Sequence, residues 1–246
     1  MRELIVVIPV YNEAACIADV IRSWQSTLDG LSADYEILVL DDGSTDETAT
    51  VLSEFEGEPR VSVTAKPNSG HGPTVLLGYR MACPRARWVF QCDSDDEMPA
   101  SSFPTLWHMR DDFDAVFGAR TGRSQGAGRR LISATSRFIV NLAYGAGVQD
   151  VNTPYRLMRA SLLGPIVLAI PETTFAPNLV VSGTLALAGA RIANISVPHQ
   201  NRRTGTVSIV RWRLWKAAAK SLVETIVLAR TMRVIARRIT SQGEAT

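Results

Sequence analysis

Four acids fall within five residues at Asp93-Ser94-Asp95-Asp96-Glu97, directly after the apolar run Trp88-Val89-Phe90-Gln91-Cys92. Burying such carboxylates unpaired is strongly unfavourable, so the strand that this run predicts must deliver them to an edge or crevice. Carboxylates one residue apart at a strand end can share a divalent cation, and a cation held there can grip a diphosphate. Hard oxygen ligands select Mg2+ or Mn2+ over zinc, with Asp93 and Asp95 as ligands and Glu97 as a third oxygen donor. The simpler alternative is a solvated acidic turn, with Pro99-Ala100-Ser101 starting a helix. The stretch alone does not choose between them.

Two more polar clusters follow apolar runs in the same manner. Leu4 to Val10 reads as a buried parallel strand and leads into Tyr11-Asn12-Glu13. Tyr35 to Leu40 reads as a second strand and ends in Asp41-Asp42-Gly43-Ser44. Between them, Ile17, Val20, Ile21 and Trp24 follow helical spacing. Thr45 to Phe55 is expected to be helical, with Ser44 or Thr45 as N-cap and Glu47 in the first turn. Val61-Ser62-Val63 is a short third strand. Asn68-Ser69-Gly70-His71-Gly72-Pro73 is a glycine loop, with Pro73 placed at N1 of a helix running to about Ala82.

This alternation predicts an α/β fold with a mostly parallel sheet flanked by helices and right-handed crossovers. Ligands in such sheets bind at the carboxyl ends of the strands. Three polar clusters at three strand ends are hard to explain as independent solvated turns, so the functional reading leads. The glycine loop lets backbone approach a phosphate beside a helix N-terminus, although it is neither a Walker loop nor GxGxxG. Arg120, at the end of a fifth strand beginning near Phe113, can neutralise phosphate bidentately, as can Arg129 and Arg130 in the Gly- and Arg-rich segment 121–130.

Beyond the fifth strand, Leu131 to Tyr144 is expected to be an amphipathic helix, and 150–158 a polar turn leading back to a strand. Residues 177–188 form a mostly apolar helix and Ala190 to Val197 a last strand. His199 to Gly205 is a basic loop, and the chain is helical from about Ile209 to Ile239. The histidines His71, His108 and His199 show no metal-binding spacing.

Composition bounds the class. The 246 residues suffice for one large α/β domain or two small ones, and 46% hydrophobic residues supply a sizeable core. Three scattered cysteines fit a reducing compartment rather than a disulfide framework or zinc site. No signal peptide is expected, since a strand begins almost at once, and no charge-free apolar run of about 18 residues predicts a transmembrane helix. The net charge of +2 hides an acidic body and a basic tail: residues 202–246 carry 10 basic side chains against Glu224 and Glu244. Trp215, Ala218, Leu222, Ile226, Ala229 and Met232 recur there at helical spacing among Arg213, Lys216, Lys220, Arg230, Arg237 and Arg238. Such a helix either lies in an anionic membrane interface or packs on the domain. Nucleic acid is not the expected partner, because the acidic strand ends would repel phosphates unless a metal intervened. A nicotinamide dehydrogenase is excluded by Tyr-Asn-Glu after the first strand, where a glycine fingerprint is needed.

Ile8-Pro9-Val10-Tyr11-Asn12-Glu13, Asp41 to Asp46, Asn68 to Gly72 and Asp93-Ser94-Asp95, in this order and spacing, resemble the family 2 glycosyltransferases of GT-A fold. The resemblance covers roughly residues 4–208. It is greatest to the dolichol- and polyprenyl-phosphate sugar transferases, through Asp93 to Glu97 with Pro99, Gly118-Ala119-Arg120, Arg129-Arg130-Leu131-Ile132-Ser133 and Asp150 to Leu157.

The resemblance implies a nucleotide-diphospho-sugar donor of UDP or GDP type, a divalent metal and inversion at the anomeric carbon. It implies a donor site built from Pro9, Tyr11, Glu13, Asp41, Asp42, Asn68, Gly70, Gly72, Asp93 and Ser94, with Asp42 near the base. Asp95, Asp150 and Arg120 would be catalytic, with Asp150 near the acceptor. Arg120, Arg129, Arg130, Arg156 and Arg202 would meet phosphate or acceptor. The expected acceptor is a polyprenyl phosphate at the cytoplasmic face of a membrane. A saccharide or small-molecule hydroxyl acceptor, or a non-catalytic sugar-nucleotide binder, is the alternative. A catalytic domain at 1–208 and a basic amphipathic tail at 209–246, holding the protein peripherally to the membrane, complete the expectation.

Overall fold

The computed structural model describes residues 1–121, 144, 153–198 and 211–243. Seven strands are β1 (Arg2–Val10), β2 (Tyr35–Asp41), β3 (Val61–Ala65), β4 (Ala86–Gln91), β5 (Ala115–Thr121), β6 (Arg156–Arg159) and β7 (Ile192–Pro198). The helices are α1 (Ile17–Asp29), α2 (Thr48–Ser53), α3 (His71–Ala82), α4 (Phe103–His108), α5 (Ala160–Ala169), α6 (Pro177–Leu187) and α7 (Arg211–Gly243). Asp150, Arg129, Arg130, Arg202 and nearly all of the expected helix 131–144 lie outside the described residues.

The strands form one sheet in the order β3-β2-β1-β4-β6-β5-β7, in which β6 alone runs antiparallel to its neighbours. The apolar run of β1 feeds both faces. Leu4, Val6, Ile8 and Val10 pack with Ile17, Ile21 and Trp24 of α1, while Ile5 and Val7 pack with Val75, Leu76 and Tyr79 of α3. Burial on two faces leaves no polar alternation, which is why this strand reads as continuous. On the first face Phe90 meets Phe103 and Tyr155, each at 4.7 Å between ring centroids, and seats the chain that leaves β4.

Three elements differ from expectation. Helix α2 starts at Thr48, not Thr45: Ser44 accepts from Asn12 N–H of the neighbouring loop, and Asp46 accepts from Ala14 N–H there and from Thr48 N–H at the helix start. Pro73 is the third residue of α3, still within the turn whose N–H groups need no helical partner. Residues 160–169 escape a periodicity argument because Gly164 and Pro165 interrupt the run, yet burial of Leu163, Ile166 and Val167 makes them helical.

Helix α7 packs against α5 and α6. Thr225, Ala229, Met232, Ala236 and Ile239 form its buried stripe. Tyr144 sits between the two layers: its hydroxyl donates to Thr225 O at 2.9 Å, and a Cβ at Gly183 would meet its ring at 2.5 Å. The apolar stripe read from sequence therefore divides, since Ala229 and Met232 face the domain while Ile226 is 54% exposed.

Candidate active site

The loops after β1, β2, β3 and β4 leave the same edge of the sheet, because these four strands are mutually parallel. The strand order reverses between β1 and β4, and the sheet splits there. Proline helps to open the split. Val7 C=O accepts from Cys92 N–H at 3.2 Å and Val10 C=O accepts from Asp42 N–H at 2.9 Å, so odd residues of β1 bond toward β4 and even ones toward β2. The β1–β4 ladder ends at Val7 and Gln91. The N–H that Pro9 lacks would have pointed into the gap beyond it.

Side chains stitch the loops together. Asn12, in a left-handed conformation at φ 56°, donates its backbone N–H to Ser44 Oγ at 3.0 Å and accepts from Thr45 N–H at 2.7 Å. Asp41 Oδ1 accepts from Ser44 N–H and Oγ–H, closing the turn at Gly43. Glu13 N–H donates to Thr48 Oγ1, while Cys16 Sγ–H reaches Glu13 Oε2 at 3.3 Å and Ser94 O at 3.5 Å. Glu13 and Ser94 are consequently buried, whereas Tyr11 is exposed at the rim.

Asp42 organises the glycine loop. Its Oδ1 accepts from Ser69 N–H and its Oδ2 from Gly70 N–H, both at 2.8 Å, and it pairs with Lys66. Lys66 Nζ also donates to Ser69 Oγ at 2.7 Å and Thr74 Oγ1 at 3.1 Å. Burial raises the Asp42 carboxyl, but hydrogen bonds from Lys66, Ser69 and Thr74 and the lysine charge outweigh it and hold the group below its ordinary value. This carboxylate, expected at the base, has both oxygens engaged in building the loop. Asn68 is exposed and its backbone lies against Gly43, where a Cβ would meet Asn68 N at 2.8 Å.

The two loop glycines serve different needs. Gly70 stands at φ 95° with open space around a Cβ, so backbone conformation alone requires glycine. At Gly72 a Cβ would lie 2.1 Å from Phe175 O. The close approach there is of protein backbone, which packs the start of α3 against the 174–175 segment.

Asp93 emerges from β4 at the split with its side chain 28% exposed. His71 Nε2 faces its Oδ1 at 3.7 Å from the first turn of α3. Asp95 Oδ1 accepts from Glu97 N–H at 3.2 Å, and Asp96 occupies a left-handed position at φ 53° that turns the chain back. Tyr155 hydroxyl donates to Pro99 O at 3.0 Å and braces this loop from the 153–155 turn. Burial pushes the Cys92 thiol well up, and the charges of Asp93, Asp95 and Asp96 push it further, so it is no nucleophile.

Among the described residues no three His, Cys, Asp or Glu side chains gather for a metal ion. The part-buried Glu97 follows Asp95 on this loop and keeps its expected place as a third oxygen donor. Two crevice carboxylates fit Mg2+ or Mn2+ of the kind that takes its remaining oxygens from phosphates and water, not an all-protein cage. The structure places Arg156 elsewhere than expected. It is fully buried, stacks on Phe117 with its guanidinium 4.7 Å from the ring, and donates to Thr153 O and Asn178 O. It serves the core, not an acceptor phosphate. The Arg120 backbone lies near the end of β5, paired with Val197.

Lys66, His71, Gln91 and Asn178 were not legible as site residues. His71 lies inside the glycine loop and Gln91 interrupts the apolar run Trp88 to Cys92, which are usable signals. Lys66 and Asn178 gave none.

Parallel strands carrying loops to a split at the reversal of strand order define a doubly wound α/β protein with its site at the switch point. Residues 5–165 match the family model described as Glycosyl transferase family 2, and the chain belongs to that family. An undecaprenyl-phosphate 4-deoxy-4-formamido-L-arabinose transferase of Pseudomonas fluorescens is 29% identical over 204 residues, covering 81% of this chain and 58% of its own. A protein of the same description from Enterobacter sp. is 28% identical over 209 residues, covering 83% and 62%. The chain thus spans about three fifths of the length of these relatives. Among solved structures, the glucosyl-3-phosphoglycerate synthase of Mycobacterium tuberculosis with Mn2+, uridine diphosphate and phosphoglyceric acid aligns with a TM-score of 0.67. It shares 21% identity over 93% of this chain and 78% of that one. These alignments bear out the GT-A-type sheet expected from the sequence.

Proposed function

We propose that this protein is an inverting glycosyltransferase that moves a sugar from a nucleotide-diphospho-sugar to a polyprenyl phosphate at the cytoplasmic face of a membrane. The observation that carries the reading is the delivery of Asp93 and Asp95 to the β1–β4 split, beside a glycine loop that Asp42 and Lys66 hold in shape. The names of the relatives, which pair undecaprenyl phosphate with a sugar transferase, support the acceptor class.

In this reading the loops after β1 and β2 take the nucleoside, and the N–H groups at the start of α3 face the diphosphate. Asp93 and Asp95 would hold Mg2+ or Mn2+, which when bound neutralises the diphosphate and stabilises the departing nucleotide. Arg120, with Arg129, Arg130 and Arg202 outside the described residues, is assigned to the phosphates of donor and acceptor. A lipid phosphate is already ionised at neutral pH, so positioning rather than a strong base carries the attack on the anomeric carbon. A hydroxyl acceptor would instead need a base, and Asp150, outside the described residues, is the residue assigned to that role.

The outer face of α7 supports membrane association. Val223, Ile226, Val227 and Val234 are exposed there beside Arg230, Arg233, Arg237 and Arg238. No helix among the described residues is long and apolar enough to cross a membrane. Lying in the interface is the alternative that this composition suits.

Thermal-shift titration with UDP-, GDP- and dTDP-sugars in the presence of Mn2+ tests the donor. A rise in Tm with one nucleotide is expected. Absence of any shift with all three overturns the donor reading.

A further inference from the structure

We infer that Gln91 is a positioning residue for Asp93, held in place by a buried network of Asn178, Tyr79 and Arg156. The inference rests on the reading of Asp93 as a carboxylate that meets the donor and its cation.

A glutamine in the middle of a sheet is unfavourable unless its amide is fully bonded, and an apolar side chain of that size would cost nothing there. Gln91 is completely buried between β1 and β6. Its Oε1 accepts from Asn178 Nδ2 at 2.9 Å and lies 3.1 Å from the Tyr79 hydroxyl. The single Tyr79 proton is shared between this oxygen and Asn178 Oδ1 at 2.8 Å. Burial keeps that phenol far above its ordinary value, against the pull of the Arg156 guanidinium, so it remains a donor. Arg156 Nη1 in turn bonds Asn178 O at 3.2 Å and ties the start of α6 to β6.

Two donors on Oε1 leave the amide one orientation. Its Nε2–H must face outward along the strand, and it donates to Asp93 Oδ1 at 3.3 Å. That bond limits the rotation of the carboxylate while the side chain keeps its exposure at the split. Four buried polar groups therefore end in one carboxylate at the crevice. Partners of this kind behind a metal-binding carboxylate change cation affinity by about ten- to a hundredfold when removed.

The test compares wild type, Gln91→Leu and Asn178→Ala for binding of Mn2+ in the presence of UDP, by Mn2+ electron paramagnetic resonance and calorimetry. Far-UV circular dichroism and UDP binding without metal serve as structural readouts. Both variants are expected to bind Mn2+ about ten- to a hundredfold more weakly with UDP binding unchanged. If Gln91→Leu does not fold, Asn178→Ala carries the comparison, since it removes the donor that fixes the amide and leaves Gln91 in place. Folded variants that bind Mn2+ within about twofold of wild type overturn the positioning role. A wild type that binds no Mn2+ with UDP overturns the reading of Asp93, and the inference with it.

Discussion

His71 Nε2 lies 3.7 Å from Asp93 Oδ1 and joins the first residue of α3 to the acidic loop after β4. The two residues are 22 apart in sequence, and the contact exists because β1 and β4 are neighbours with their polar ends on one edge. A donor diphosphate placed at the split would meet both.

His71→Ala should therefore raise KM for the nucleotide sugar by about tenfold, the worth of one charge-assisted hydrogen bond. The side chain is 59% exposed, so Tm should not move. Steady-state kinetics with a differential scanning measurement checks both halves. A lowered Tm with unchanged KM would make His71 a structural residue.

The two loop glycines should respond differently to alanine. Gly70→Ala meets only backbone strain at φ 95° and should cost about 1–2 kcal/mol. Gly72→Ala drives a Cβ to 2.1 Å from Phe175 O and must displace the 174–175 segment, so it should be the more destabilising. Denaturant melts of the pair decide it, and equal losses would contradict the packing described.

Asp42 predicts a pH dependence with a definite sign. Its folded value is depressed below 3.8, so its contribution is present above that pH and is lost as pH falls through the lowered value. Asp42→Asn should lower Tm at neutral pH, and its deficit should shrink toward about pH 3. Calorimetry across that range measures it. A deficit that grows in acid would show that the ion pair with Lys66 is not the cause.

Asp150 separates the two acceptor classes. With a phosphate acceptor, Asp150→Asn should slow transfer only a few-fold, whereas general-base catalysis would cost about a hundredfold or more. Single-turnover transfer assays report the chemical step directly.

Helix α7 should bring the protein to anionic vesicles. Replacing Arg230, Arg237 and Arg238, all exposed, with alanine should weaken co-sedimentation by about a hundredfold at roughly 1 kcal/mol per arginine. Replacing Val223, Ile226 and Val227 with serine tests the apolar contribution separately. Wild-type protein that stays in the supernatant at low salt would remove the membrane from the account.

The chain carries its architecture openly. Apolar runs closed by polar clusters, with helical spacing between them, determined the parallel sheet and the edge where Asn12, Asp41, Asp42 and Asp93 gather. Such patterns report local burial, which a two-residue or 3.6-residue period reveals without knowledge of partners. Only the tertiary structure decided how each polar side chain is used. Asp42 turned to a lysine 24 residues away, Arg156 to the carbonyl of Asn178, and Gln91 to Asn178 across 87 residues. Gly72 answers to Phe175, and the apolar stripe of α7 divides between domain and solvent. These choices depend on which strands become neighbours, and no periodicity along the chain encodes a contact between elements so far apart.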